Sequence, residues 1–201
     1  MKINGLNQLI NQKQTMKKTI LFLFLAATAV SWSQSKEMNI NAAESSIQWL
    51  AKKVTGQHNG IINFVSGNLT LGENNISGGS FEVAMNTINV LDLSGEYKEK
   101  LEGHLKSDDF FGVEKFPSAQ LNITGSKMKA DNVYAVEATL TIKEISHPIT
   151  FDLQMEGDTA TAKVVIDRSK YNVRYGSTSF FDNLGDKAIY DDFELEINLK
   201  F

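Results

Sequence analysis

The chain has 201 residues, with 20 Lys and Arg against 24 Asp and Glu for a formal net charge of -4, and no cysteine. The length suits one domain, and the interspersed charges leave no basic face for a phosphate backbone, so nucleic acid is not an expected partner. Without cysteine there are no disulfides, thiolate metal sites, cysteine nucleophile or lipidated-cysteine anchor, and stability must come from the core.

Met16, Lys17 and Lys18 form a short positive region before an apolar run at residues 20–30. That run is too short to span a bilayer, and Ser31 and Ser33 stand at the -3 and -1 positions of a cut before Gln34. The pattern is that of a signal peptide rather than an uncleaved anchor. We expect an exported protein, periplasmic or secreted, with residues 1–33 a mis-assigned leader plus signal peptide, Met16 the true start, and residues 36–201 one domain.

From Ser46 onward the dominant signal is two-residue alternation broken by Gly, Asn and Asp, which predicts antiparallel strands. Candidates are residues 46–55, 61–71, 76–90 and 119–126. Residues 136–143 and 149–155 form a hairpin about a Ser146, His147, Pro148 corner, and residues 161–168 precede a last strand at 193–201. Residues 72–75, 125–128 and 157–159 supply turn chemistry. Residues 94–105 break the period: Tyr97, Leu101 and Leu105 are four apart and Glu96 is placed to pair with Lys100, an amphipathic helix across the barrel or its mouth. About eight strands with one apolar face each leave edges unless the sheet closes, so the expected fold is all-β, a closed or nearly closed eight-stranded antiparallel barrel with one short helix.

Several segments, in order, carry a resemblance. They are Ser46-Ile47-Gln48-Trp49, His58-Asn59-Gly60 leading to Gly67-Asn68-Leu69, and His104-Leu105-Lys106-Ser107-Asp108-Asp109-Phe110-Phe111 followed by Phe116-Pro117. Leu140-Thr141-Ile142-Lys143 before His147-Pro148-Ile149-Thr150, and Asp167-Arg168 before Tyr171, complete the set. Together they resemble the YceI family, the lipid- or polyisoprenoid-binding proteins with a lipocalin-like barrel. The resemblance implies an apolar interior that holds an isoprenoid or other long lipid tail in a periplasmic or secreted protein.

The candidate interior residues are Trp49; Phe81, Val83 and Met85; Leu140 and Ile142; Phe151 and Leu153; Val164 and Ile166; and Phe193, Leu195 and Ile197. They are either plain core or the wall of a ligand cavity. Arg168 continues the inward parity of Ala162, Val164 and Ile166, and a charge there needs a partner: an ion pair with Asp152 or Asp167, or the polar head of a ligand. His58, His104, Phe110, Phe111 and Tyr171 join Arg168 as candidates for a head group at the mouth. The three histidines lack the close spacing of a zinc site, so hydrogen bonding is the reading for each and no metal or cofactor is expected. Asp108, Asp109 and Glu114 read as a solvated helix end rather than an acid/base pair.

No nucleophile elbow, Walker loop, dinucleotide fingerprint or H-E-x-x-H string is present, so no catalytic residue is named. The leading expectation is a soluble exported carrier or store of a polyisoprenoid, quinone or fatty-acyl ligand, without stable membrane insertion. A monomer and a homodimer are both open. A small outer-membrane barrel would use the same alternation inside out, but its strands need about 9 to 11 residues, longer than the hairpin strands expected around Pro148. An enzyme acting on a lipid is the third reading.

Overall fold

The alternation of apolar and polar residues puts one face of each strand against water, and closing the sheet on itself brings the other faces together. The computed structural model describes residues 35–201; the expected leader, start and cleavage site fall outside them. The elements are β1 (Lys36–Asn39), β2 (Ser46–Lys53), β3 (Gly56–Leu71), β4 (Ile76–Val90), α1 (Gly95–Lys106), β5 (Ser118–Ala130), β6 (Val133–Ile142), β7 (Ile145–Glu156), β8 (Thr159–Asp167) and β9 (Ile189–Lys200). Strands β2 to β9 pair antiparallel in a ring, β4 returning to β3, which closes an eight-stranded lipocalin-like barrel. The short β1 is a ninth strand that the sequence reading does not contain. It prolongs the edge of β2, pairing with the far end of β3 at Asn68–Leu71 while β2 holds the near end at Gly56–Ile62.

Two turns differ from expectation for stated physical reasons. The β6–β7 corner is Lys143 and Glu144, with φ of 52° and 62°, the pair of positive values a two-residue type I′ hairpin requires. Ser146, His147 and Pro148 therefore lie inside β7. Pro148, which has no N–H to give a ladder, falls where β7 lacks a β8 partner, because that pairing covers only Leu153–Glu156. Residues 125–128 also lie within a strand, β5, where a register shift between Ile123 and Gly125 marks a bulge. The β5–β6 turn comes later, at Asn132 with φ 60°.

The strands around Pro148 have 10 and 12 residues, longer than the sequence reading allowed, so length does not argue against a membrane barrel. Facing does. In β8, Ala162, Val164 and Ile166 are buried while Thr161 and Lys163 are exposed, and in β9 Glu194 and Glu196 point outward. Outer-face ion pairs Lys52–Glu194 (2.6 Å) and Lys129–Asp152 (2.7 Å) lie where a lipid-spanning barrel presents apolar side chains. Among the described residues no helix is long and apolar enough to cross a membrane.

Candidate functional site

The inward residues of β8 and β9 differ in a telling way. Ala162, Val164 and Ile166 are buried, whereas Phe193, Leu195 and Ile197, paired beside them on the same face, keep part of their surface open. Inward yet accessible means facing empty space. That space is a cavity of about 270 Å³, larger than the roughly 150 Å³ apolar cavity that stays dry and accepts benzene. Along β9 its wall runs from Ile189 to Leu199, roughly 33 Å of strand at ~3.3 Å per residue. With a strand tilt near 40° this is roughly 25 Å along the barrel axis, so the cavity is long and narrow. At the end carrying the β3–β4 and β7–β8 turns, Ile76, Val136 and Ala160 are buried in the core cluster and off the cavity wall.

All thirteen interior candidates, from Trp49 to Ile197, are on this wall. Their parity survives because side chains alternate strictly along each strand. In β4 the register with β3 shifts after Ala84, where Thr87 Oγ1 donates to the Ala84 carbonyl at 2.6 Å and accepts from the Asn63 N–H at 2.9 Å. The bulge brings Ile88 onto the wall after Met85. Ile47, Ile62, Phe64, Leu69, Leu121 and Ile123 also line the cavity and were not singled out from sequence, although they share the same alternation.

The other end is covered by α1. Leu101, His104 and Leu105, spaced i, i+3, i+4, reach the cavity, while Tyr97 of the expected stripe is 76% exposed. The helix is tied down by Glu102, whose carboxylate accepts from the Val90 N–H at 2.8 Å, and the expected Glu96–Lys100 pair forms at 2.7 Å. Beyond the helix, Phe110 packs edge-on to His104 (5.3 Å) and tilted against Phe111 and Tyr175 (both 5.9 Å). Tyr175, missed in the sequence, joins this cluster from an irregular segment where no periodicity signals facing. His104 approaches it edge-on at 4.3 Å.

Of the mouth candidates, His58, His104, Phe110, Phe111 and Arg168 border the cavity, and Tyr171 does not. His58 Nδ1 lies 2.8 Å from Asp92 Oδ2. Burial alone raises the Asp92 carboxyl, but hydrogen bonds from His58 and the Asn59 N–H leave it below its ordinary value. Among the described residues, His104 Nε2 is buried with no hydrogen-bond partner. His147 is elsewhere, its Nε2 3.0 Å from the Lys170 carbonyl, and its ring stands edge-on to Tyr171 at 5.3 Å. Tyr171 is 1% exposed in a 3₁₀ turn at Arg168–Tyr171, packed where β7 and β8 part. Its phenol is pushed up by burial and by the charge of Asp167. The turn ends the strand alternation that carried Arg168 inward and turns Tyr171 away from the cavity.

Arg168 is inward and 3% exposed, but its partners are not those expected. Asp152 pairs with Lys129, and Asp167 caps Ser169. Instead Nε donates to the Tyr190 carbonyl, Nη1 to Val173 and Tyr175, and Nη2 to Ile189, at 2.8–3.2 Å. Asp191 Oδ1 lies 3.3 Å from Nη2 as an ion pair without hydrogen-bond alignment. Burial lowers the guanidinium from its ordinary value, countered by Asp191 and Asp167. Four of its five N–H groups donate to backbone carbonyls, and it braces the 173–175 and 189–191 segments while its Cζ stacks 5.5 Å over Phe110. Asp108 pairs with Lys115 at 2.6 Å on the surface.

Comparison with known proteins agrees with this geometry. A family profile described as a YceI-like domain matches residues 38–201. The chain is 27% identical over 144 residues to Protein YceI of Salmonella newport, 69% of each chain. It is 32% identical over 98 residues to UPF0312 protein YE1254 of Yersinia enterocolitica, about half of each (49% and 48%). Among solved structures, BcnA of Burkholderia cenocepacia superposes with a TM-score of 0.65 at 18% identity, covering 80% of this chain and 98% of that one. A polyisoprenoid binding domain from Saccharophagus degradans does so at 0.56 and 12%, covering 83% and 97%.

Proposed function

The chain belongs to the YceI-like domain family, and from that premise we propose that it is an exported carrier or store of an apolar, chain-like ligand, a polyisoprenoid, quinone or fatty-acyl lipid, held inside the barrel by burial rather than turned over. One observation carries the reading: a long, narrow cavity walled by aliphatic and aromatic side chains. A tail laid along it gains ~25 cal/mol for each Å² of apolar surface taken from water, enough for useful affinity without a polar contact. Water is a poor occupant, since an ordered water needs two to four polar partners. The description of the Saccharophagus domain as polyisoprenoid binding is consistent with this ligand class. The positive and apolar pattern of residues 16–33 supports export to the periplasm or beyond.

Native mass spectrometry of protein expressed with its signal in a bacterial host and purified without detergent tests the proposal, followed by organic extraction. A stoichiometric prenyl or acyl compound is expected. Protein with no bound mass, and none acquired on incubation with lipids, overturns it. N-terminal sequencing of the recovered protein tests the cut before Gln34.

A further inference from the structure

We propose that Phe81, Ile123, Leu153 and Leu199 form the floor of the cavity and set the longest chain that the protein holds. This rests on the carrier reading and deepens it by assigning the residues that select the ligand's length.

Four strands show the same change of exposure toward the same end of the barrel. On β4 the wall residue Val83 keeps part of its surface open, whereas Phe81, one inward position farther from the α1 mouth, is buried. The step recurs from Leu121 to Ile123 on β5, from Phe151 to Leu153 on β7 and from Ile197 to Leu199 on β9. Strict alternation makes both members of each pair inward. The open surface of the first therefore faces the cavity, and its loss at the second marks where the cavity stops. The second members are between 3% and 8% exposed, and each is the deepest wall residue of its strand. Behind them Ile76, Val136 and Ala160 are fully packed and apolar. Lys53, His58, Tyr175 and Tyr190 are on the wall at the mouth, so a polar head finds partners there and the apolar end of the chain meets the floor. A close-packed interior does not yield to one more methylene, and the gain in affinity per methylene ends where the chain reaches these four side chains.

The test is calorimetric titration of delipidated protein with linear primary alcohols of increasing length, reading the length at which affinity stops rising. Leu199→Ala and Ile123→Ala lower the floor and should move that length up by about one to three carbons, the room left by the deleted side-chain carbons after partial collapse. Val83→Phe raises the floor by one inward position, roughly 5 Å along the axis for two residues of tilted strand. It should move the length down by about four carbons, at ~1.25 Å of advance per staggered bond. Leu195→Ala, trimmed midway along the same wall, widens the cavity and should leave the length unmoved. A cooperative thermal transition certifies that each variant folds. An unmoved length in a folded floor variant overturns the proposal, as does an equal upward move in Leu195→Ala. Should neither floor variant fold, an unmoved length in Val83→Phe, which adds its ring to open space, overturns it. A wild type whose affinity rises with length and never levels also overturns the floor, whereas a wild type that binds no alcohol overturns the carrier reading itself.

Discussion

Trp49 lies directly opposite Gly60 across the β2–β3 ladder, and the indole occupies the space that a side chain at Gly60 would fill. A β-carbon at Gly60 would also meet the Asn89 carbonyl of β4, backbone that cannot swing aside. The indole is fixed further by its N–H, which donates to the Ile61 carbonyl at 3.2 Å. Gly60→Ala should therefore cost about 1–3 kcal/mol, the usual penalty of overpacking, read as a lower urea midpoint at unchanged slope. An unaltered midpoint would mean that β2, β3 and β4 are not this close.

Arg168 is a structural brace, and its replacement should be felt as instability. Arg168→Met leaves Asp191 and four carbonyls without their donor, and removing one partner of a buried charge pair costs about 3–5 kcal/mol. Arg168→Lys cannot reproduce the planar fork and should rescue only part of this. Thermal unfolding of both variants checks the order wild type, Lys, Met. A full-stability lysine variant with weakened lipid binding would return Arg168 to the head-group role.

Filling the cavity should separate binding from stability. Ala162 is flanked across the ladders by Leu153 and Ile197, and all three are on the wall. In Ala162→Phe the added ring enters open space, so unfolding should shift by less than the 1–3 kcal/mol of a packed core. Affinity for a prenyl or acyl ligand should fall tenfold or more. Equal losses in both would mark Ala162 as plain core.

The pair at the mouth predicts an acid-side dependence. A carboxyl whose folded-state pKa lies below its unfolded value, about 3.9 for Asp, stabilises the fold above that value. The contribution disappears as pH falls through the folded pKa. Asp92 is of this kind, held down by His58 and the Asn59 N–H against the opposing effect of burial. The stability difference between wild type and Asp92→Asn should be present at pH 5, begin to shrink below about pH 4 and be lost as pH falls through the lower folded-state value. A constant gap from pH 2 to pH 6 would contradict it.

Facing was legible in the sequence wherever strands run unbroken. Phe193, Leu195 and Ile197, or Val164 and Ile166, take the wall because a two-residue period admits no other arrangement once one face is charged. What escaped has local causes. The β6–β7 turn is built from Lys143 and Glu144, residues that carry positive φ without a glycine to announce it. The strand β1, with only Lys36–Asn39, is too short to show a period. Tyr171 ends a 3₁₀ turn and Tyr175 follows it, where no period signals facing, so Tyr171, expected at the mouth, lies off the cavity and Tyr175, not singled out, lies on it. Of the expected helix stripe, Leu101 and Leu105 face the cavity, joined by His104, while Tyr97 at its first turn faces water.

The central claim, that the barrel holds an extended apolar chain, is tested most directly by calorimetric titration with a homologous series of linear alcohols. If each methylene is buried along the cavity, affinity should rise about fourfold per added CH₂, the equivalent of ~0.8 kcal/mol, with a negative heat-capacity change. The rise should level off when the chain outgrows the roughly 25 Å that the strand geometry allows. Absence of binding, or affinity indifferent to chain length, would contradict the account.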